Sequence, residues 1–373
     1  MVVPTHWDFL MGGAQLQAKF LLEELTSREN VEVSYLASRV SGDTPKNESY
    51  TLTQVSAPGA LHRYGLFWDY FSLLKRLKEY QPDVIYQRVA TAYTGICARY
   101  AKRHSVPMIW HVANSTDCDI NKIGVASLRR PHSYLERAFV EYGLKNATDI
   151  VVQTEDQKRL LSENFGKQNT HLVPNFHPIP KAEKKPDANP FRILWIANLK
   201  DTKRPQAMVE VARQLSHLPG LSINMIGAPY PNKEQAKQNS FDTSVAGLKN
   251  LNYAGALPLE KVNELLEQSH LLVNTSVKEG FSNTFIQAWL RKVPVLTLGV
   301  NPDDRLDGGP LGQSFSSIEA LVDGITAKLA NPEQLERDGV AARQIAVAEF
   351  SLDNVSKLAD LVLSYLQCDP PAA

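Results

Sequence analysis

Short apolar runs alternate with amphipathic stretches along almost the whole chain, and their spacing predicts a repeating strand and helix order. Val2-Val3-Pro4 reads as a very short strand. After Gly12-Gly13, the residues Leu16, Phe20, Leu21 and Leu25 fall on one face of a helix over 14–25. Strands follow at 31–37, 84–87, 107–112 and 149–153, with helices at 66–80, 91–104, 135–147 and 155–165. A short strand at 171–173 then leads into Pro174-Asn175. The order restarts with strands at 192–197, 221–226 and 251–253 and helices at 206–215, 233–238 and 259–267. Next come a buried strand at 270–274, a helix from Ser282 with Phe285, Ile286 and Trp289 on one face, and a strand at 293–298. Residues 311–316 carry little signal, and helices are predicted at 317–330, 332–349 and 352–366. Such regular alternation predicts parallel sheets with helices on both faces.

Length divides this pattern in two. At 373 residues the chain is too long for one ordinary core, so two α/β domains are expected. Residues 181–190 (KAEKKPDANP) are polar, charged and rich in proline, and form the one convincing linker. The expected layout is a first domain over 1–180, a second over 191–351, and a terminal segment at 352–373 that crosses back to the first. Apolar content of 43% and charged content of 21% describe a soluble globular protein. Forty basic and forty acidic residues cancel, which speaks against an extended nucleic-acid surface. No apolar run reaches the length of a membrane span, and the amino terminus lacks a basic segment followed by an apolar one, so a cytosolic protein is expected. Cys97, Cys118 and Cys368 are odd in number and form no CxxC pair, as suits reduced structural thiols. An HExxH, a Walker loop and a GxSxG elbow are all missing.

The most informative chemistry lies between the strands at 270–274 and 293–298. There Lys278-Glu279-Gly280-Phe281-Ser282-Asn283-Thr284 forms an acid-and-glycine loop that runs into a helix bearing Gln287. In a parallel sheet this places Glu279 and the amides of Phe281 to Thr284 at the carboxyl edge, where α/β proteins bind ligands. A helix amino terminus offers N–H donors and partial positive charge, which suits a diphosphate. Glu279 in the loop and Gln287 along the helix can hold two hydroxyl-bearing parts of one ligand.

That arrangement resembles the retaining glycosyltransferases of the GT4 type. Their fold is GT-B, an α/β architecture of two doubly wound Rossmann-like domains facing a deep cleft. The family signature is a Glu, Gly and Phe, a second Glu eight residues after the first, and a strand containing Pro-Val. Here these are Glu279-Gly280-Phe281, Gln287 and Val293-Pro294-Val295. The resemblance runs from Gly12-Gly13 through Pro174-Asn175 to the final helix. It includes Ala197-Asn198-Leu199 and Lys203-Arg204, where the family has Gly-Arg-Leu, three residues, then Lys-Gly, and it includes Gly227 and Gly255.

The resemblance implies catalytic roles for Glu279 and His111. It implies donor contacts by Gly13, Asn198, Lys203, Arg204, Gly280, Phe281, Ser282, Asn283, Thr284 and Gln287, with Glu279 on the transferred sugar and Gln287 on the ribose. His111 stands at the carboxyl end of its strand, with Asn114 or Asp117 as the alternative occupant of the same space. The implied reaction moves a sugar from a nucleotide-sugar donor to a glycan or lipid-linked acceptor, with retention and no metal or other cofactor. Lys203, helped by Arg204, would stabilise the leaving diphosphate, and Glu279 would position the sugar instead of attacking it. Asp117-Cys118-Asp119 looks like the metal-binding triplet of the other glycosyltransferase fold, but the surrounding pattern is that of the metal-independent one. Gln15, Asn198 and Gln287 depart from the family residues and raise the alternative of a non-catalytic sugar-nucleotide-binding or partner protein; within enzymes the alternative is a GT-B sugar-nucleotide epimerase. The latter would need an acid-base set that the sequence does not display. Finally, His62-Arg63-Tyr64 through Trp68, Tyr70, Phe71, Lys75, Arg76 and Lys78 mixes aromatics with a basic end. This suits peripheral contact with a membrane or an acceptor, although a core-packing helix with a solvated basic edge is the preferred reading.

Overall fold

The apolar pair Val2-Val3 makes only bridges, yet it holds the middle of the first sheet. Val2 bridges Leu36 on one side and Gln87 on the other. Its N–H donates to Tyr86 O at 2.8 Å, and Val3 N–H donates to Leu36 O at 3.1 Å. The computed structural model describes residues 1–42, 49–55, 66–119, 132–181 and 189–366. Most of the expected linker, His62 to Tyr64 and Cys368 lie outside them. The chain divides into two compact units, Met1–Phe176 with the segment from Leu352 onward, and His177–Ser351.

The first unit contains α1 (Gly13–Thr26), β1 (Ser34–Ala37), β2 (Thr51–Gln54), α2 (Tyr70–Tyr80), β3 (Ile85–Arg88), α3 (Ala92–His104), β4 (Met108–His111), α4 (His132–Asn146), β5 (Asp149–Val152), α5 (Glu155–Phe165) and β6 (His171–Leu172). All its strand pairs are parallel. With Val2 included, the order is β2-β1-Val2-β3-β4-β5-β6, so the winding reverses between Val2 and β3. Strand β2 escapes the sequence pattern because Thr51-Leu52-Thr53-Gln54 lies on an edge and buries no apolar face.

The second unit contains β7 (Phe191–Ile196), α6 (Pro205–Gln214), β8 (Leu221–Ile226), α7 (Gln235–Ala246), β9 (Leu251–Tyr253), α8 (Leu259–Glu267), β10 (Leu271–Asn274), α9 (Asn283–Trp289), β11 (Val295–Leu298), β12 (Asp307–Gly309), β13 (Gly312–Phe315), α10 (Ile318–Ala330) and α11 (Pro332–Phe350). Its sheet order is β12-β13-β11-β10-β7-β8-β9, parallel except for the edge strand β12. Helix α7 runs eight residues past the expected end at 238, because a helix that buries only Phe241 shows almost no apolar period. A last helix, α12 (Asp353–Ser364), belongs to the first unit, where Val355, Leu358 and Val362 join Leu21, Leu22 and Leu25 of α1 in one core.

Alternate residues of the central strands feed opposite faces. Met108 and Trp110 pack toward α3 and α4, while Ile109 packs toward α1 and α12. Likewise Ile193 and Trp195 face one core and Leu194 the other. Burial on both faces is why these strands read as continuous apolar runs. Helices α3 and α4 touch backbone to backbone: a Cβ on Gly95 would lie 2.2 Å from the Phe139 carbonyl oxygen. Cys97 and Cys118 are buried free thiols, and burial pushes Cys97 up to about 12. Among the described residues no helix is long and apolar enough to cross a membrane.

Candidate active site

In the second unit the winding reverses between β7 and β10, so the loops that leave these neighbouring strands diverge and leave room at the carboxyl edge. The loop after β7 brings Lys203, at the end of a short 3-10 turn, and the loop after β10 brings Glu279. Lys203 Nζ lies 2.5 Å from Glu279 Oε1. The same oxygen accepts from Ser276 Oγ at 2.6 Å and Asn274 Nδ2 at 3.2 Å. Three donors on one oxygen hold the carboxylate in a single orientation. The pair remains within reach of solvent, with the Lys203 side chain 28% and that of Glu279 12% exposed.

The two loops are stitched together beneath this pair. Val277 N–H donates to Thr202 O at 2.8 Å. Thr275 Oγ1 accepts from the buried Trp195 indole at 2.9 Å and lies 2.8 Å from Lys203 O. Arg204 donates through Nε to Thr275 O at 2.5 Å, and through Nη2 to Ser276 O at 3.0 Å and to Leu298 O. Arg204 is therefore first a clamp across the strand ends, and burial lowers its pKa. Its Nη1 forms no hydrogen bond among the described residues. Asn198 Oδ1 accepts from Ala228 N–H at 2.9 Å and joins the exits of β7 and β8.

Gly280, Ser282, Asn283 and Thr284 line the entry to α9 and are half-buried. Ser282 precedes the helix but pairs its hydroxyl with that of Thr284 at 2.9 Å instead of capping an amide. Phe281 turns inward, its ring 4.9 Å from Phe350 and 5.9 Å from Trp289, so it anchors the loop and leaves only its backbone to a ligand. Gln287 lies one helical turn on, 5% exposed, and its side-chain amide makes no hydrogen bond among the described residues. That amide is not sealed from solvent, so it is free to bond a polar ligand.

The first unit carries a separate polar cluster at the carboxyl ends of β3 and β4. His111 is 1% exposed, with Nδ1 2.7 Å from the Tyr86 hydroxyl and 3.0 Å from Arg88 Nη1. Arg88 also donates to Asn175 Oδ1 at 3.3 Å, and Asn175 donates to Gln153 Oε1 at 3.3 Å. Burial, then the Arg88 charge, holds His111 well below the usual histidine range. Asn114 and Asp117 close their own turn: Asp117 accepts from Ala113 N–H at 3.0 Å and from Asn114 Nδ2 at 3.1 Å. Burial raises the Asp117 pKa. Gly13 opens α1 and is exposed, and Gln17 of that helix donates to Phe176 O at 2.7 Å and accepts from its N–H at 3.1 Å.

Two family models account for most of the chain. The model described as Glycosyltransferase Family 4 matches residues 11–178, and that described as Glycosyl transferases group 1 matches residues 190–335. The chain belongs to the GT4-type glycosyltransferases. Solved structures extend this to the fold of the enzyme. Sucrose-phosphate synthase from Thermosynechococcus elongatus superposes with a TM-score of 0.79 at 16% identity, covering 98% of each chain. HepE of Anabaena, solved with UDP-glucose, gives 0.75 at 14% identity over 97% of this chain and 99% of its own. WaaG, a glycosyltransferase involved in lipopolysaccharide biosynthesis, gives 0.73 at 16% identity over 97% and 99%. The fold is thus GT-B, with two Rossmann-like domains. No curated protein matches this glycosyltransferase in sequence.

Several residues of the site carry no readable mark in the glycosyltransferase sequence. Asn274, Thr275 and Ser276 are detectable only as a polar turn after a buried strand, and Trp195 as one more apolar strand residue. Arg88, Tyr86 and Gln153 give no signal until β3, β4 and β5 are aligned. His177 is a further case: its Nε2 lies 3.2 Å from Asn283 Oδ1 and steadies the start of α9. Burial, aided by the Arg291 charge and opposed by the Asn283 hydrogen bond, lowers the His177 pKa to about 4.

A pH dependence of stability follows. Burial holds His6, His111 and His177 below the usual histidine pKa of about 6.5. The unfolded chain therefore binds more protons than the folded one below about pH 6.5. Their contribution is fully present above that pH and is lost as pH falls, for His177 between about 6.5 and about 4 at about 1.4 kcal/mol per pH unit. The raised pKa of Asp117 offsets part of this at the acid end. Denaturant melts from pH 8 to pH 5 should show falling stability, and His177→Gln should flatten the slope. An unchanged slope in that variant would refute the assignment to His177.

Proposed function

We propose that this GT4-type glycosyltransferase transfers a sugar from a nucleotide-sugar donor to a glycan or lipid-linked acceptor, in the cytosol, with retention and without a metal ion. The observation that carries the reading is the Lys203 and Glu279 pair at the reversal point of the second sheet, with Gln287 eight residues after Glu279 on the helix that follows. HepE, solved with UDP and with UDP-glucose, supports a nucleoside diphosphate sugar as donor. WaaG, with its role in lipopolysaccharide biosynthesis, supports a glycan or lipid-linked acceptor.

In this reading the glycosidic carbon–oxygen bond to the diphosphate breaks as the acceptor oxygen approaches on the same face. The acceptor proton passes to the departing phosphate oxygen. Negative charge grows on the diphosphate, and Lys203 with the N–H groups at the start of α9 balances it from fixed positions. Arg204 adds its Nη1. Glu279, held by three donors, orients the sugar hydroxyls, and the Gln287 amide bonds the ribose. Within the first unit His111, kept neutral by burial and Arg88, is suited to hydrogen bonding and not to giving a proton. Asn198 and the backbone from Gly280 to Thr284 shape the remaining donor contacts.

The test is a thermal-shift panel of nucleoside diphosphates followed by turnover with the matching sugar donors in EDTA. One diphosphate should raise the melting temperature, transfer should survive the chelator, and the product should keep the donor's anomeric configuration by NMR. Strict dependence on magnesium or manganese would remove the metal-free part and bring Asp117 and Asp119 back as ligands. Binding without turnover on any donor would leave a sugar-nucleotide-binding protein. Gln287→Ala should weaken the free nucleoside diphosphate by about 0.5–1.5 kcal/mol, as expected for one neutral hydrogen bond. Gln287→Glu should bind as well or better, because an ionised acceptor bonds ribose hydroxyls more strongly. Calorimetric affinities that do not change in Gln287→Ala would take the ribose role away from it.

A further inference from the structure

The helical face built by α2, α3 and α4 is unlike the rest of the surface. Leu73 and Leu77 of α2 point into the core, while Phe71 is 81% and the preceding Trp68 46% exposed. Tyr134, Leu135 and Tyr142 on α4 are exposed as well. Between these helices runs an open groove of about 550 Å³, walled by Trp68, Tyr70, Phe71, Phe139 and Tyr142, with Arg99 and Gly95 of α3 also lining it. The aromatics support one another, Tyr70 meeting Phe71 edge-on at 5.2 Å and Phe139 at 6.1 Å. So the helix does pack, as the sequence suggested, but its aromatic residues divide between core and surface.

Charge on α2 and α3 is one-sided, while α4 mixes Glu136 and Glu141 with Arg137 and Lys145. Lys75 and Lys78 follow Phe71 by four and seven residues and share its stripe. Helix α3 contributes Arg99, Lys102 and Arg103 and has no acidic residue. Glu79 is the one acid within α2 and α3, and it already pairs with Arg76 at 2.7 Å and Lys75 at 3.8 Å. The chain as a whole has no net charge, so this excess is local. Exposed Trp, Tyr and Phe beside long basic side chains match the boundary of a bilayer, where rings sit at headgroup depth and lysine or arginine reaches the phosphates. An apolar patch of this kind on a soluble protein marks an interaction site, and the surrounding charge selects an anionic surface.

We propose that this face docks the protein on a bilayer carrying anionic headgroups, with Trp68 and Phe71 entering the headgroup boundary and Lys75, Lys78, Arg99 and Arg103 over the lipid phosphates. The inference does not depend on glycosyl transfer. It is tested without donor or acceptor, so its failure leaves the proposed reaction untouched.

The whole protein is sedimented with phosphatidylcholine vesicles, with and without roughly one third phosphatidylglycerol. Trp7, Trp110, Trp195 and Trp289 are buried, so a shift in tryptophan emission reports Trp68. Binding is expected with the anionic vesicles, with a blue shift, and it should weaken as salt rises. Each basic residue near the surface is worth about fivefold, so Lys75→Glu with Lys78→Glu should weaken binding at least about twentyfold. Phe71→Ser should reduce binding and the shift while the melting temperature stays unchanged, because the side chain is exposed. No sedimentation with anionic vesicles, or equal and salt-insensitive binding to neutral ones, would overturn the proposal. A concentration-dependent dimer in lipid-free buffer that Phe71→Ser abolishes would also overturn it, since a second copy would then cover the face.

Discussion

Lys203→Ala is expected to lower kcat/KM for the donor ten- to hundredfold or more, and Glu279→Ala to lower kcat with nucleotide affinity nearly intact. A charged hydrogen bond to a developing diphosphate is worth roughly 1.5–3 kcal/mol, which sets the first figure. The second follows from position. Glu279 is fixed by Lys203, Ser276 and Asn274 on one oxygen, so removing it loses orientation at the reacting carbon and leaves the ribose and phosphate contacts in place. Because Lys203 and Glu279 touch, the double variant should be less damaged than the product of the two single losses. Donor kinetics and calorimetric affinity for the nucleoside diphosphate measure all three proteins. Wild-type turnover in Glu279→Ala would make the loop decorative and give the lead to the non-catalytic reading.

Gly227→Ala should destabilise the second unit by about 3 kcal/mol, the upper end of ordinary overpacking. A Cβ there would lie 1.8 Å from the Ala197 carbonyl oxygen and 2.8 Å from Asn198 N. These are backbone atoms at the exit of β7, so no side-chain rotation can relieve the clash. The chain must move at the point from which Asn198 and Lys203 are positioned. For a unit of this size, 1 kcal/mol shifts the melting temperature about 2–4 °C, so a fall of roughly 6–12 °C is expected, with weaker nucleotide binding. Gly247→Ala is the internal control. Gly247 follows α7 with φ −85°, and a Cβ there meets nothing within 4 Å, so its melting temperature should stay within about 2 °C of wild type. Equal effects at the two glycines would show that the close approach at Gly227 is not what matters.

Particular elements show how far local pattern reaches. Residues 221–226 and 251–253 became β8 and β9 at the expected bounds because alternate apolar residues, Leu221, Ile223 and Met225 and then Leu251, face the core while Ser222, Asn224 and Asn252 stay half-buried or exposed. Three strands whose backbones pair without burying an apolar stripe gave little or no signal. They are the edge strand β2 and the pair β12 and β13, with its glycines. The polar helix α7 was read too short for the same reason.

The sequence by itself determined the alternation of strand and helix, the doubling into two α/β units, and the loop chemistry from Glu279 to Gln287, because each depends on residues near one another in the chain. Strand order was decided only by tertiary structure. Nothing local says that β10 lies against β7, yet that pairing brings Lys203 to Glu279 across 75 intervening residues. The same holds for Thr275 under the Trp195 indole, for Arg204 spanning the ends of β10 and β11, and for the Arg88, His111 and Asn175 cluster. Backbone pairing in a sheet is insensitive to which apolar side chains it joins, so the contacts it creates at its edge are a property of the folded sheet and not of any segment within it.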